Sequence, residues 1–283
     1  MKANVSHCAA LVRDADRDRY LAALFAPAEH RDALFALYAF NVEVARVRDV
    51  AREPLPGEIR LQWWREVLSG ERDGEAAAHP VAAALRDALG RYGLLAAPLL
   101  QLLEAREFDL YDEPMASMAE LELYAIRTQS PIFALACGIL TDGKILPELF
   151  TLDVSVAYTI AQVLARFGRH ASRKQLYVPQ DVLQRHEAAA ADIYAGRTSA
   201  PLRAALGEMR GAARQHLKAA EAKVSETPAD ILPALLPLAL VGPTLCKMER
   251  ADYDPFTFEV PSSPRRQWTL WRAARDPRRI FQA

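Results

Sequence analysis

The chain has 283 residues, 51% hydrophobic and 25% charged, with 35 Lys and Arg against 36 Asp and Glu for a formal net charge of −1. That composition excludes a disordered chain and allows one or two domains with a large core. The charge balance gives no global drive toward nucleic acid, so no nucleic-acid partner is expected and any anionic partner has to be read by a local basic patch.

Ala, Leu, Glu and Arg dominate, all strong helix formers, and alternating β-branched residues are nearly absent, which predicts an all-α chain. The N-terminal stretch, Met1 to Tyr20, carries several acids and no long apolar run, so no signal or transit peptide is expected. Helices are predicted near 16–26, 28–52, 56–69, 80–92, 96–108, 116–129, 131–141, 146–168, 199–225, 229–249 and 264–275, punctuated by Pro and Gly. Loops are predicted at 70–79, 109–115, 169–178 and 251–264. The most apolar stretch, Leu232 to Cys246, is shorter than the about 20 residues a bilayer needs and is broken by Pro233, Pro237 and Pro243. The expectation is therefore a cytoplasmic protein, with peripheral contact on the inner face of the cytoplasmic membrane left open. No Gly- or Ser-rich linker and no internal repeat divides residues 1–283, so a single domain is expected. Cys8, Cys137 and Cys246 lie far apart without metal spacing and are expected to be plain buried thiols of a reducing compartment.

Two stretches carry chemistry. The first runs Ala33-Leu34-Phe35-Ala36-Leu37-Tyr38-Ala39-Phe40-Asn41-Val42-Glu43-Val44-Ala45-Arg46-Val47-Arg48-Asp49. The second begins Ala165-Arg166-Phe167-Gly168-Arg169-His170, continues through a basic turn, Ser172-Arg173-Lys174, and ends Leu176-Tyr177-Val178-Pro179-Gln180-Asp181. His170 has no second ligand at a suitable spacing, so no metal site is expected from it. A cluster of Arg166, Arg169, His170, Arg173 and Lys174 at a helix end satisfies the macrodipole or docks on acidic lipid or an acidic protein surface. The Trp residues at 63, 64, 268 and 271 read as packing anchors, one or two of them as interface residues. The Arg-rich tail from Arg272 to Arg279 reads equally as an exposed cap or a membrane contact.

These stretches resemble the two signatures of the squalene/phytoene synthases, the head-to-head prenyl transferases. The resemblance implies a single isoprenoid (prenyl) synthase-like helical bundle with a recognisable core at about 16–272. In that family the first helix leads into Asp-Asp-x-x-Asp and the second carries Asp-x-x-x-Asp. Carboxylates four apart share a helix face and hold the Mg²⁺ that draws diphosphate away from a prenyl carbon. Here the matching positions are Ala45, Arg46 and Asp49, then Arg166 and His170, so one carboxylate is left. Glu43 lies about 200° around the helix from Ala45 and does not replace it. A cation about 4 Å from an arginine meets about 4 kcal/mol of repulsion per charge pair at an effective dielectric near 20. No catalytic residue and no metal or other cofactor is therefore expected.

The likeness narrows at Gln62-Trp63-Trp64-Arg65, Tyr124-Ala125-Ile126-Arg127-Thr128-Gln129-Ser130, Lys247 through Phe256, and Leu270-Trp271-Arg272. In these it resembles the divergent branch of the family that holds mitochondrial complex I assembly factor 6 and its bacterial relatives. That branch also lacks the aspartates. It implies a non-catalytic helper in building the NADH:quinone oxidoreductase membrane arm, with complex I subunits or other assembly proteins as partners; the lack of a transit peptide suits a bacterial relative. The former cavity would be lined by Tyr38, Asn41, Arg46, Tyr124, Thr128, Gln129, Gln162, Arg166, Arg173 and Tyr177, with Thr128 and Gln129 equally readable as a core hydrogen-bond pair. Two alternatives stand beside this. One is a prenyl-diphosphate transferase with an atypical Mg²⁺ site built on Glu43, Asp49 and Asp181. The other is an isoprenoid or lipid binder without chemistry.

Overall fold

The computed structural model describes residues 2–51, 53–144, 149–224 and 228–282, and among these residues there is no β-strand. In chain order the helices are α1 (Lys2–Ala15), α2 (Arg17–Ala23), α3 (Ala28–Ala45), α4 (Val47–Val50), α5 (Pro54–Leu68), α6 (Asp73–Ala78), α7 (Pro80–Arg91), α8 (Ala97–Arg106) and α9 (Met118–Leu140). After residue 148 come α10 (Leu149–Ala165), α11 (Phe167–Ser172), α12 (Gln180–Arg185), α13 (Ala190–Tyr194), α14 (Ala200–Val224), α15 (Leu232–Leu235), α16 (Val241–Met248) and α17 (Ser263–Arg275). The predicted positions Arg52, 146–148 and Ser225 lie outside the described residues.

Packing divides the chain into two compact units: residues 1–111, 127–148 and 227–237 form the first, and 112–126, 149–226 and 238–283 the second. In the first unit α3 is apolar almost all round. Twelve of its residues, from His30 to Val44, are buried, as a helix at the centre of a core requires. The helices α1 and α7 pack on it and on each other, and α5 packs on α8. In the second unit the long amphipathic α14 lies along α10, while α16 and α12 cover the flanks of this pair.

Several elements depart from the sequence reading. The helix α1 was not predicted; its anchoring stripe is thin, with Cys8 and Val12 fully buried at an i, i+4 spacing. The predicted break at Ser130–Pro131 does not occur, and α9 runs through Pro131. The proline costs one ladder hydrogen bond, and burial of Thr128, Gln129, Ile132 and Phe133 on either side holds the helix together. Conversely, 229–249 is four short pieces, because Pro233, Pro237 and Pro243 each remove a backbone donor. The predicted loop at 70–79 contains α6, the one at 169–178 is helical to Ser172, and α12 and α13 were not foreseen.

By length and composition alone two helical stretches, Met118–Leu140 and Ala229–Met248, are long and apolar enough to cross a membrane; both are mostly buried within the fold. Cys8 and Cys137 are buried, and burial pushes their thiols up to about 11 and about 12. Cys246, expected to be buried, is exposed, with Arg214 Nη2 3.4 Å from its sulfur.

Candidate functional site

The first signature belongs to the first unit. Here α3 stops at Arg46, whose backbone sits at φ −99°, ψ 4°, and α4 resumes at Val47. Arg46 N–H still donates to Val42 O at 3.2 Å, and Asp49 N–H donates to Arg46 O at 2.9 Å, so the chain turns without losing its hydrogen bonds. Arg48 Nη1 donates to Leu110 O at 2.9 Å. Beside it Gly57 leaves room for the Leu110 side chain, which a β-carbon there would meet at 2.4 Å. The metal positions of the signature are thus exposed residues on a firmly tied corner: Ala45, Arg46 and Asp49.

Deeper in this unit Tyr38 and Gln129 serve the core. Arg19 is almost fully buried and pairs with Asp16 Oδ2 at 3.2 Å, while Asp16 Oδ1 caps α2 by accepting from Arg19 N–H. Arg19 Nη2 donates to Gln129 Oε1 at 2.7 Å, and its guanidinium lies 5.5 Å from the Tyr38 ring and 5.6 Å from that of Phe133. Gln129 thus takes part in a core hydrogen bond, and the partner is Arg19, which the sequence reading did not name. Thr128 is fully buried. Asn41 is 5% exposed, and its Oδ1 has no hydrogen-bond partner among the described residues.

The second signature belongs to the second unit and repeats the backbone of the first. Here α10 stops at Arg166, at φ −106°, ψ 13°, and α11 resumes at Phe167. Arg166 N–H donates to Gln162 O at 3.1 Å; the Gln162 side chain is half-buried and that of Arg166 exposed. Gly168 is demanded by close contact, since a β-carbon there would stand 2.2 Å from Phe256 O. Phe167 packs on the Phe256 ring at 5.1 Å. Asp254 folds this segment: burial favours its protonated form, and hydrogen bonds from Phe256 N–H, Thr257 and Thr198 outweigh that and hold it below the usual range.

The helix α11 closes on Lys174 in the left-handed region, φ 57°, with Gln175 N–H reaching back to His170 O at 3.0 Å. Arg173 is exposed at that turn. The His170 ring lies 4.7 Å from Tyr177, which in turn lies 5.9 Å from Tyr124. The chain then runs beside Met115–Ala116: Met115 N–H donates to Leu176 O, and Gln180 N–H to Met115 O. Asp181, one of the acids held for the transferase alternative, accepts from Met118 N–H at 3.2 Å and pairs with Arg185 at 3.1 Å. Its carboxylate therefore starts α9 and anchors α12.

The donor set does not fit a magnesium cluster. At its metal positions the first signature offers Asp49 alone and the second offers no carboxylate, and among the described residues no three His, Cys, Asp or Glu side chains gather as a metal site. No reaction step through Mg²⁺ follows from these residues.

Glu43 faces elsewhere, into a groove of about 440 Å³ within the first unit that also takes in Arg46, Arg60, Trp63, Trp64 and His79. Burial raises its carboxyl to about 7 against the pull of Arg60. His79, Arg60 and Arg19 carry no sequence motif; only the placement of His79 before Pro80, as an α7 cap, was open to reading.

The profile of the squalene/phytoene synthase family matches residues 12–272. Complex I assembly factor 6 of Rattus norvegicus is 32% identical over 250 residues, covering 88% of this chain and 75% of that protein. The Homo sapiens protein is 30% identical over the same shares. Phytoene synthase 2, chloroplastic, of Solanum lycopersicum is 26% identical, covering 89% and 83%. Among solved structures, squalene synthase HpnC from Alicyclobacillus acidocaldarius superposes with a TM-score of 0.76 at 21% identity, over 90% of this chain and 96% of that one. A dehydrosqualene synthase solved with a ligand gives 0.82 at 15%, over 98% and 96%. These structures share the all-α isoprenoid synthase fold, and with the profile match spanning nearly its whole length, the chain belongs to the squalene/phytoene synthase family.

Proposed function

We propose that this chain is a non-catalytic member of its family that serves as an assembly factor for respiratory complex I. The observation that carries the proposal is the paired loss of acid at both signatures on an intact fold: Ala45 and Arg46 in one, Arg166 and His170 in the other. A catalyst that ionises diphosphate esters needs hard oxygen ligands at those positions, whereas a binding partner needs only a stable surface. The similarity to the assembly factor 6 proteins supports the second half of the reading, and the partners it points to are complex I subunits or other assembly proteins.

Two experiments test it. Purified chain incubated with farnesyl diphosphate and Mg²⁺ releases no diphosphate above background; release at enzymatic rates overturns the non-catalytic half. An affinity-tagged chain co-fractionates with partly assembled complex I on native gels; migration as free protein at every stage of assembly overturns the other half.

A further inference from the structure

The groove beside Glu43 holds four polar side chains that do not satisfy one another. The guanidiniums of Arg46 and Arg60 are exposed on its rim and make no hydrogen bond or ion pair among the described residues. His79 Nδ1 caps α7 by accepting from Ala82 N–H at 3.3 Å, which leaves the proton on Nε2. That Nε2–H points toward Glu43 Oε2 at 3.7 Å, beyond hydrogen-bond length. The remaining walls are apolar: Leu11, Val42, Val47, Val50 and the Trp64 ring. Val50 is 55% exposed, so the apolar surface continues to solvent. A volume of about 440 Å³ is in the range of small-molecule sites.

We propose that this groove binds a single-chain amphiphile with an anionic oxyacid head, carboxylate or phosphate. The two guanidiniums grip the head, in the way arginine suits both oxyacids, and His79 Nε2–H supplies a third donor. The tail lies along Val42, Val47 and Val50 against Trp64, where burial of apolar surface favours it. Glu43 then has to be neutral, because its carboxylate would repel the head. The groups facing it are Arg46 at the end of its own helix, Arg60 on α5, His79 at the start of α7 with His7 beyond it, and Cys8 on α1. Binding therefore takes up a proton at Glu43 above neutral pH. The site is separate from the signature positions of the second unit, and the inference does not depend on the assembly role.

The test is titration of the full chain with laurate and with dodecyl phosphate, below micelle formation, read by calorimetry and by tryptophan fluorescence. Dodecyltrimethylammonium serves as the cationic control. Saturable one-to-one binding of either anion supports the proposal, and the preferred one identifies the head. The Arg46→Ala/Arg60→Ala double variant weakens it at least tenfold with unchanged thermal stability, whereas Arg166→Ala does not alter it. Affinity falls up to tenfold per pH unit above 7, and Glu43→Gln flattens that fall while keeping the binding at pH 6. Failure of both anions to bind, equal binding by the double variant, or equal binding of the cation overturns the proposal.

Discussion

Arg46 and Arg166 stand at helix breaks of nearly the same backbone, each following an alanine and preceding a buried apolar residue, Val47 or Phe167. The substitutions were legible because the surrounding frame survives: Leu37-Tyr38-Ala39-Phe40 before one, Leu176-Tyr177-Val178-Pro179 after the other. Arg19 was not legible, since a core arginine interrupts no periodicity and resembles a surface one until its partners are known. Replacing Arg19 by Ala strands Gln129 and Asp16, and a loss of about 3 kcal/mol is expected in urea unfolding, as for a broken buried pair. Lys174 holds a left-handed conformation that favours glycine, so Lys174→Gly is expected to stabilise by about 1 kcal/mol in the same assay. Glu43 gives a pH signature. Its carboxyl is raised in the folded chain, so the fold binds the extra proton. Its contribution is full at acid pH, below the range of an unfolded glutamate, and is lost as pH rises through about 7. Glu43→Gln should match wild type at pH 5 and exceed it by about 1 kcal/mol at pH 8, after allowance for its partial exposure.

At the scale of elements, composition and punctuation located most of the long helices, because helix formers fill them and Pro or Gly closes them. The errors have physical causes. Pro131 does not end α9 because buried side chains on both sides hold the helix together, whereas three prolines within 229–249 remove too many donors for one helix to persist. The short α12 and α13 carry too few apolar positions for a period to show. Gly168 links the second signature to the Tyr253–Phe258 segment, a contact no local pattern announces. Gly168→Ala forces its new methyl group against Phe256 O, and a loss of about 2 kcal/mol is expected. Faster amide exchange confined to α11 and 253–258 identifies the contact as the cause; uniform exchange across the second unit argues against it.

For the whole molecule, the fold was readable from composition plus the signature frame, and the family match over residues 12–272 agrees with it. The cavity residues were less readable, because a signature gives positions along a helix and not the directions side chains take. Tyr38 and Gln129 meet a buried arginine, while Arg46 shares a groove with Glu43. What persists is the scaffold, with all carboxylates but Asp49 gone from the places where a transferase needs them. On the proposed account, selection acts on the surface and the stability of that scaffold rather than on turnover.

The most direct measurement is the amount of assembled complex I, by native gel and NADH:quinone oxidoreductase activity, in membranes of a strain lacking this chain. The account predicts loss of the assembled complex, restored by the wild-type chain and equally by Asp49→Ala, since a non-catalytic chain has no use for the carboxylate left at a metal position. Unchanged complex I in the deletion strain, or restoration that fails with Asp49→Ala while that variant folds normally, contradicts it.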